Sequence, residues 1–406
     1  MKIFPLLSLA IIPLLPARTA AQSQLQTIYK FAGPPDGAAP QGLAAGPNGT
    51  LYGMTANGGS FGYGTVFQLT PPSSPHGQWS ESILYEFTDS NSGGTNPYSA
   101  PVVGKDGSIY GATGGAVSTI FQLQPPAAPG GDWTETVLYP PEVESTAAGF
   151  NHGLVVGPNG ELYATASIGG FYGCGAVVGL TPPSVPGKWS VTMQYDFPGG
   201  DSGCKPAGVA LSADGVIYGV TTYGGTSGQG VIFALTPTAA PYVYTETVLY
   251  NFTGGDDGGF PAQPPILAPP QFGYTPFAIY GTTPSGGAAG LGGVFYLIWN
   301  FASGTWGESF PFHFQLGNGG IPGSALLEVN SVFYGVTANG YVKSDAGGSV
   351  FQLSPDPPYL TETVLHKFPG PAGPSGNLVM TKNGILYGTT VSGGPAGFGT
   401  VYRIKP

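Results

Sequence analysis

Short runs of alternating apolar and polar residues, each bounded by Gly, Pro or Asn, recur along the 406-residue chain. Between Trp79 and Phe87, the residues Ile83, Tyr85 and Phe87 alternate with Leu84 and Glu86, the two-residue period of a β-strand. Thr65-Val66-Phe67-Gln68-Leu69 predicts a second strand, and Pro71-Pro72 ends it because proline has no N–H for the ladder. Gly42 to Ala45 and Thr50 to Thr55 predict two more, joined through Asn48-Gly49, a preferred two-residue hairpin turn. No stretch sustains the apolar period of a helix. The predicted class is all-β, built from units of four antiparallel strands.

One phrase marks the second strand of every unit: an apolar residue, Tyr, usually Gly, one residue, then Thr. Its tyrosines are Tyr52, Tyr110, Tyr163, Tyr218, Tyr280, Tyr334 and Tyr387, and their positions differ by 58, 53, 55, 62, 54 and 53 residues. Seven four-stranded units of this length predict a seven-bladed β-propeller. Counting strands adds a closure. The last unit stops after its third strand, Thr400 to Ile404, while Leu25 to Phe31 precedes the first unit with a fourth-strand pattern. Tyr29 and Phe31 match Tyr85 and Phe87 there, so the N-terminal strand is expected to complete the last blade and leave no open edge.

The units resemble the bacterial GloVer tandem repeat, through Gly58-Gly59 followed by Gly64-Thr65-Val66-Phe67, and Gly393-Gly394 followed by Gly399-Thr400-Val401-Tyr402. The resemblance implies an exported or surface-associated protein, and it brings no general enzymatic activity with it.

Residues 1–21 read as a secretory signal peptide: Lys2, the apolar run Ile3 to Leu15, and the small-residue site Thr19-Ala20-Ala21. The run is too short to span a bilayer. The expected organisation is therefore a signal peptide at 1–21 and one propeller domain at 22–406, monomeric and secreted or otherwise extracytoplasmic. Only 8% of residues are charged and the net charge is −10, which argues against nucleic acid and anionic membranes as partners. Cys174 and Cys204 fall in neighbouring loops of one face, and an exported chain can join them as a disulfide.

Candidate chemistry concentrates on the face that carries the glycine-rich loops, here called the upper face. The residues entering the inner strands ring the mouth of the central channel, and the expected set is Gln41, Tyr98, His152, Ala207, Ala262, Gly323 and Ser375. Gln41, Tyr98 and His152 are the large polar members, and so the candidate ligand-binding group. His152 is the first choice for acid–base work because its ordinary pKa lies near neutrality. The loop aromatics Phe61, Tyr63, Phe171, Tyr172, Tyr223, Tyr341 and Phe398 suit stacking against a sugar or folding back as core. Among the upper-face acids Asp36, Asp89, Asp201, Asp256 and Asp257, the run from Asp89 through Asn91 has a faint calcium-loop spacing without the distal acid. Glu81, Glu135, Glu246, Glu308 and Glu362 share one register on the outermost strands, where charge discourages edge pairing. Histidines and cysteines show no metal-ligand spacing, and the glycines form no phosphate cradle, so no cofactor is expected. Blade five carries an insertion at 269–276.

These readings favour a non-catalytic extracellular binding or scaffold module holding a glycan or a cell-surface protein. The competing expectations are a lyase or hydrolase acting on polysaccharide, with His152 or Tyr98 as acid–base groups, and a purely structural spacer.

Overall fold

The structure, a computed structural model, describes residues 25–74, 77–88, 94–114, 118–128, 130–139, 147–184, 188–240, 242–270, 277–315, 320–338, 346–356, 358–370 and 372–406. The expected signal peptide, Asp89, Asn91, Tyr341, and 271–276 of the blade-five insertion lie outside them. The protein is a seven-bladed β-propeller of seven four-stranded antiparallel sheets. Blade one comprises Gly37–Ala45, Leu51–Gly58, Thr65–Thr70 and Ser80–Glu86, from the channel outwards. Its inner strand begins five residues before the expected Gly42, because pairing continues upwards past a register shift between Pro40 and Leu43. Blade seven has Pro374–Met380, Leu386–Thr390 and Thr400–Ile404 as its first three strands, and Gln26–Lys30 as its outermost. Gln26 pairs with Arg403 and Lys30 with Thr400, so the two ends of the chain close the ring.

The core lies between blades rather than within them. Seven hydrophobic clusters of buried residues each straddle one seam between neighbouring blades. Each blade therefore relies on both neighbours, as in other repeat architectures. The repeated phrase explains how. Its leading apolar residue is fully buried at Leu51, Ile109 and Leu162. Its tyrosine stands edge-on to a tryptophan of the next blade's outer-strand region: Tyr387 to Trp79 at 5.7 Å, Tyr52 to Trp133 at 6.4 Å, Tyr110 to Trp189 at 5.9 Å and Tyr218 to Trp306 at 6.2 Å. Its threonine clamps the loop to the third strand, as Thr55 Oγ1 to Thr65 Oγ1 at 2.9 Å and Thr390 Oγ1 to Thr400 Oγ1 at 2.9 Å.

The glycine of the phrase is required by a ring. The tip of the third-strand aromatic opposite it occupies the space of a side chain, and a Cβ at Gly53, Gly219, Gly281 or Gly335 would overlap Phe67, Phe233, Phe295 or Phe351. Blade three has Ala164 instead, and its cross-strand partner is Val178, with no ring to collide with.

Candidate functional site

At the upper mouth of the channel the inner strands enclose a cavity of about 320 Å³. Gln41, Tyr98 and His152 line it, joined by Asn151, Gln263 and Asn377. The floor is aliphatic, including Val102, Leu154, Val209, Leu326 and Leu378, and among the described residues no Asp, Glu, Lys or Arg lines the cavity. Four amide residues, a tyrosine and a histidine thus line the mouth above an apolar base, and the Gln41 amide donates to the Ala39 carbonyl at 2.9 Å. Ser99 Oγ is buried on this wall and has no hydrogen-bond partner.

The other expected ring positions fall elsewhere. Ala207 is wholly buried in a seam, and Ser375 Oγ turns away to donate to the Pro40 carbonyl at 3.2 Å. Val209, Gln263, Ala325 and Asn377 line the cavity instead of Ala207, Ala262, Gly323 and Ser375. Bulges cause part of this offset, with register shifts between Pro206 and Val209 and between Ser375 and Val379. The signal was present as Pro-x-Gly in blades one, four and seven, where Gly42, Gly208 and Gly376 adopt positive φ. Such a glycine breaks the two-residue alternation, so counting from strand ends misplaces the channel-facing side chain.

His152 follows two residues after Phe150, which is buried in the cluster shared by blades two and three. Burial pushes the imidazole pKa down to about 4, so the ring is neutral at neutral pH. It makes no hydrogen bond among the described residues. A neutral imidazole can donate through one nitrogen and accept through the other. Among the described residues no carboxylate lines the cavity beside it to make it a strong base.

The loop aromatics do not join this cavity. Tyr63 packs half-buried against a core cluster, whereas Phe61 is exposed on the blade-one loop. Phe398 lies against Gly33, leaving no room for a side chain there. Phe171 and Tyr172 are exposed, with rings 5.0 Å apart and edge-on. Tyr223 is also exposed, with the Lys205 ammonium 5.2 Å from its ring centre. The disulfide Cys174–Cys204, with Cα atoms 4.6 Å apart, clamps the Tyr172 loop to the start of blade four, next to Lys205. Blades three and four therefore carry an exposed aromatic ledge on the upper face.

The acidic residues have structural partners that sequence reasoning missed. Glu81, Glu135, Glu246 and Glu308 are not solvated edge charges; they are half-buried at the seams. Tyr85 Oη donates to Glu135 at 2.7 Å and Tyr195 Oη to Glu246 at 2.8 Å, each from the preceding blade. Desolvation raises all four carboxyl pKa values, with a further push from Asp36 on Glu81 and from Asp257 on Glu308, both of which reach about 7. Asp36 and Asp257 are loop caps: Asp36 accepts from the Ala32 and Gly37 amides at 2.8 and 2.7 Å, and Asp257 accepts from the Thr253 amide at 2.8 Å. Among the described residues, no group of three or more His, Cys, Asp or Glu is placed to hold a metal ion. No helix there is long and apolar enough to cross a membrane.

Fold and mouth together define a propeller with a small uncharged polar pocket on its axis. Residues 149–300 match the family model of the Gloeobacter/Verrucomicrobia repeat, so the resemblance read from the motif is shown over that span. A search of the curated proteins finds no match. Among solved structures, the chain is similar to a protein assigned as a 6-phosphogluconolactonase from Bacteroides uniformis, at 13% identity and a TM-score of 0.52, covering 86% of this chain and 89% of that one. A chain of a mitotic checkpoint complex is similar at 12% identity and a TM-score of 0.50, covering 98% and 100%. The PQQ-bound aldose sugar dehydrogenase from Streptomyces coelicolor has 11% identity and a TM-score of 0.45, covering 95% and 99%. At such identities the first two likenesses establish the propeller fold alone.

Proposed function

We propose that this protein is a non-catalytic extracytoplasmic binding module, holding a neutral glycan at the upper mouth of its channel. The observation that carries this reading is the composition of the mouth. Gln41, Asn151, Gln263 and Asn377 offer donors and acceptors to hydroxyl groups, Tyr98 offers a ring and a phenol, and no charged residue lines the mouth among the described residues. The unpartnered Ser99 hydroxyl adds one more group waiting for a ligand or water. The Cys174–Cys204 disulfide supports an oxidising compartment outside the cytoplasm.

The test is a panel of neutral and acidic glycans followed by calorimetry. A neutral glycan should bind, and Gln263→Ala or Asn377→Ala should each weaken it about five- to tenfold, the value of about 1 kcal/mol per lost hydrogen bond. Affinity should stay level from pH 5.5 to 8, because His152 titrates near 4. Turnover of a polysaccharide that disappears in His152→Ala would overturn the reading in favour of the enzyme. Failure of every neutral glycan to bind would also overturn it.

A further inference from the structure

The closing blade has an unusual charge. Across Leu25 to Phe31 and Pro374 to Pro406 it holds Lys30, Lys382, Arg403 and Lys405 and not one Asp or Glu, in a chain with 11 basic and 21 acidic residues. On the lower face, opposite the channel mouth just described, a groove of about 990 Å³ runs along the seam between blades seven and one. Its wall includes Trp79, packed edge-on against Tyr387 at 5.7 Å. Lys382 and Arg403 both line it, and no carboxylate does so among the described residues. Arg403 Nε donates to Gln26 Oε1 at 2.9 Å, which orients the guanidinium. Neither its terminal nitrogens nor the Lys382 ammonium has an ionic partner among the described residues.

We propose that this groove is a second binding site, selective for a carboxylated oligosaccharide of the uronate type. An oriented guanidinium suits a carboxylate by two parallel hydrogen bonds, and Lys382 supplies a second cation. Trp79 provides an apolar wall for a sugar ring, while Asn48 and Asn383 offer amides for hydroxyls. The volume lies at the upper end of the range for small-molecule sites. An acidic peptide fits less well. The groove is bounded by hairpin turns and proline-rich loops rather than by a free strand edge, so an extended backbone finds no ladder to join.

The repeat itself supplies variants that the fold accepts. The position of Arg403, across from the phrase tyrosine, is Gln68, Gln122 and Gln352 in blades one, two and six. The turn position of Lys382 is Ala213 in blade four. Calorimetry with trigalacturonate, and with maltotriose as the neutral control, should therefore show binding of the acidic sugar that weakens as salt rises. Arg403→Gln should lower affinity at least tenfold and Arg403→Gln with Lys382→Ala should abolish it, at an unchanged melting temperature. Trp79 should report the binding by fluorescence, lost in Trp79→Phe. Equal affinity for maltotriose, full affinity in the double variant, or polyglutamate binding without trigalacturonate binding would each overturn the proposal.

Discussion

At the seam between blades one and two, Phe87 at the end of the outer strand stands edge-on to Phe121 at 5.3 Å, and Tyr85 reaches Glu135. The seam between blades two and three is built differently. The register position of Glu135 is occupied by Val191, that of Phe121 by Val178, and Tyr139 stands edge-on to Phe150 at 5.1 Å. The six aromatic seams repeat one geometry, with Phe31–Phe67, Phe197–Phe233, Phe252–Phe295, Phe314–Phe351 and Phe368–Tyr402 all between 5.0 and 5.3 Å. The exception draws its aromatic from the connection entering blade three, and that connection continues directly into Asn151 and His152. Packing that departs from the repeat is what brings Asn151 and His152 to the channel mouth. Repetition serves the ring, and its one interruption serves the candidate site.

The largest expected effect falls on the blade whose outermost strand is joined to the other three by pairing alone, Gln26–Lys30 against Thr400–Ile404. Deleting residues 25–31 removes Phe31 from its contact with Phe67 and exposes the Thr400–Ile404 edge. Burying one Phe contributes about 1.5–3 kcal/mol, and the strand also carries Ile28 and Tyr29. The truncated chain should lose its cooperative melt by circular dichroism. A melting temperature equal to that of the full chain would show that the N-terminal strand does not hold the ring.

Next in size is the glycine–ring pairing that separates the six seams from the seventh. Gly53→Ala should destabilise by about 2–3 kcal/mol through collision with Phe67. Ala164→Gly should cost no more than about 1 kcal/mol, because Val178 leaves space already. Gly53→Ala combined with Phe67→Val reproduces the blade-three pair, and a double-mutant cycle in urea should show coupling of at least about 1 kcal/mol. Simple additivity would remove the steric explanation of the motif.

Tyr402 is the tyrosine among the third-strand rings that lie opposite a phrase glycine, and its hydroxyl is fully buried without a partner among the described residues. Tyr402→Phe should restore the common seam and stabilise the protein by about 1–2 kcal/mol in denaturant titration. A loss of stability would mean that the hydroxyl has a partner.

The smallest effect is linked to pH. Glu81 has a folded pKa of about 7 against an ordinary 4.5, so the folded protein binds the proton more tightly than the unfolded chain. Its contribution to stability is complete below about pH 4.5 and is lost as pH rises through 7. Solvent reaching the half-exposed carboxyl limits the effect to about 1 kcal/mol. Glu81→Gln should flatten this part of the stability profile, whereas the corresponding position in blade three, Val191, carries no carboxylate. An unchanged slope between pH 4.5 and 8 in Glu81→Gln would rule out Glu81 as its source.

Much of the architecture was legible from residue order. Strand class, blade number and the closing role of Leu25 to Phe31 all follow from a local period and a repeated phrase, because β-pleating and tight turns are decided by near neighbours in the chain. Gln41, Tyr98 and His152 could be placed near the axis on the same grounds. Contacts between blades were not legible. Tyr85 and Glu135 meet across 50 residues of chain, and each residue alone reads as an ordinary outer-strand position. Gln263 and Asn377 reach the channel mouth through the way their inner strands enter it, with a bulge at Gly376 shifting the register before Val379. The sequence by itself thus determined a closed ring of seven repeated sheets. Only the tertiary structure decided which polar side chains face the axis and which carboxyls are buried at the seams, because both depend on how twisted sheets stack rather than on how any one strand is written.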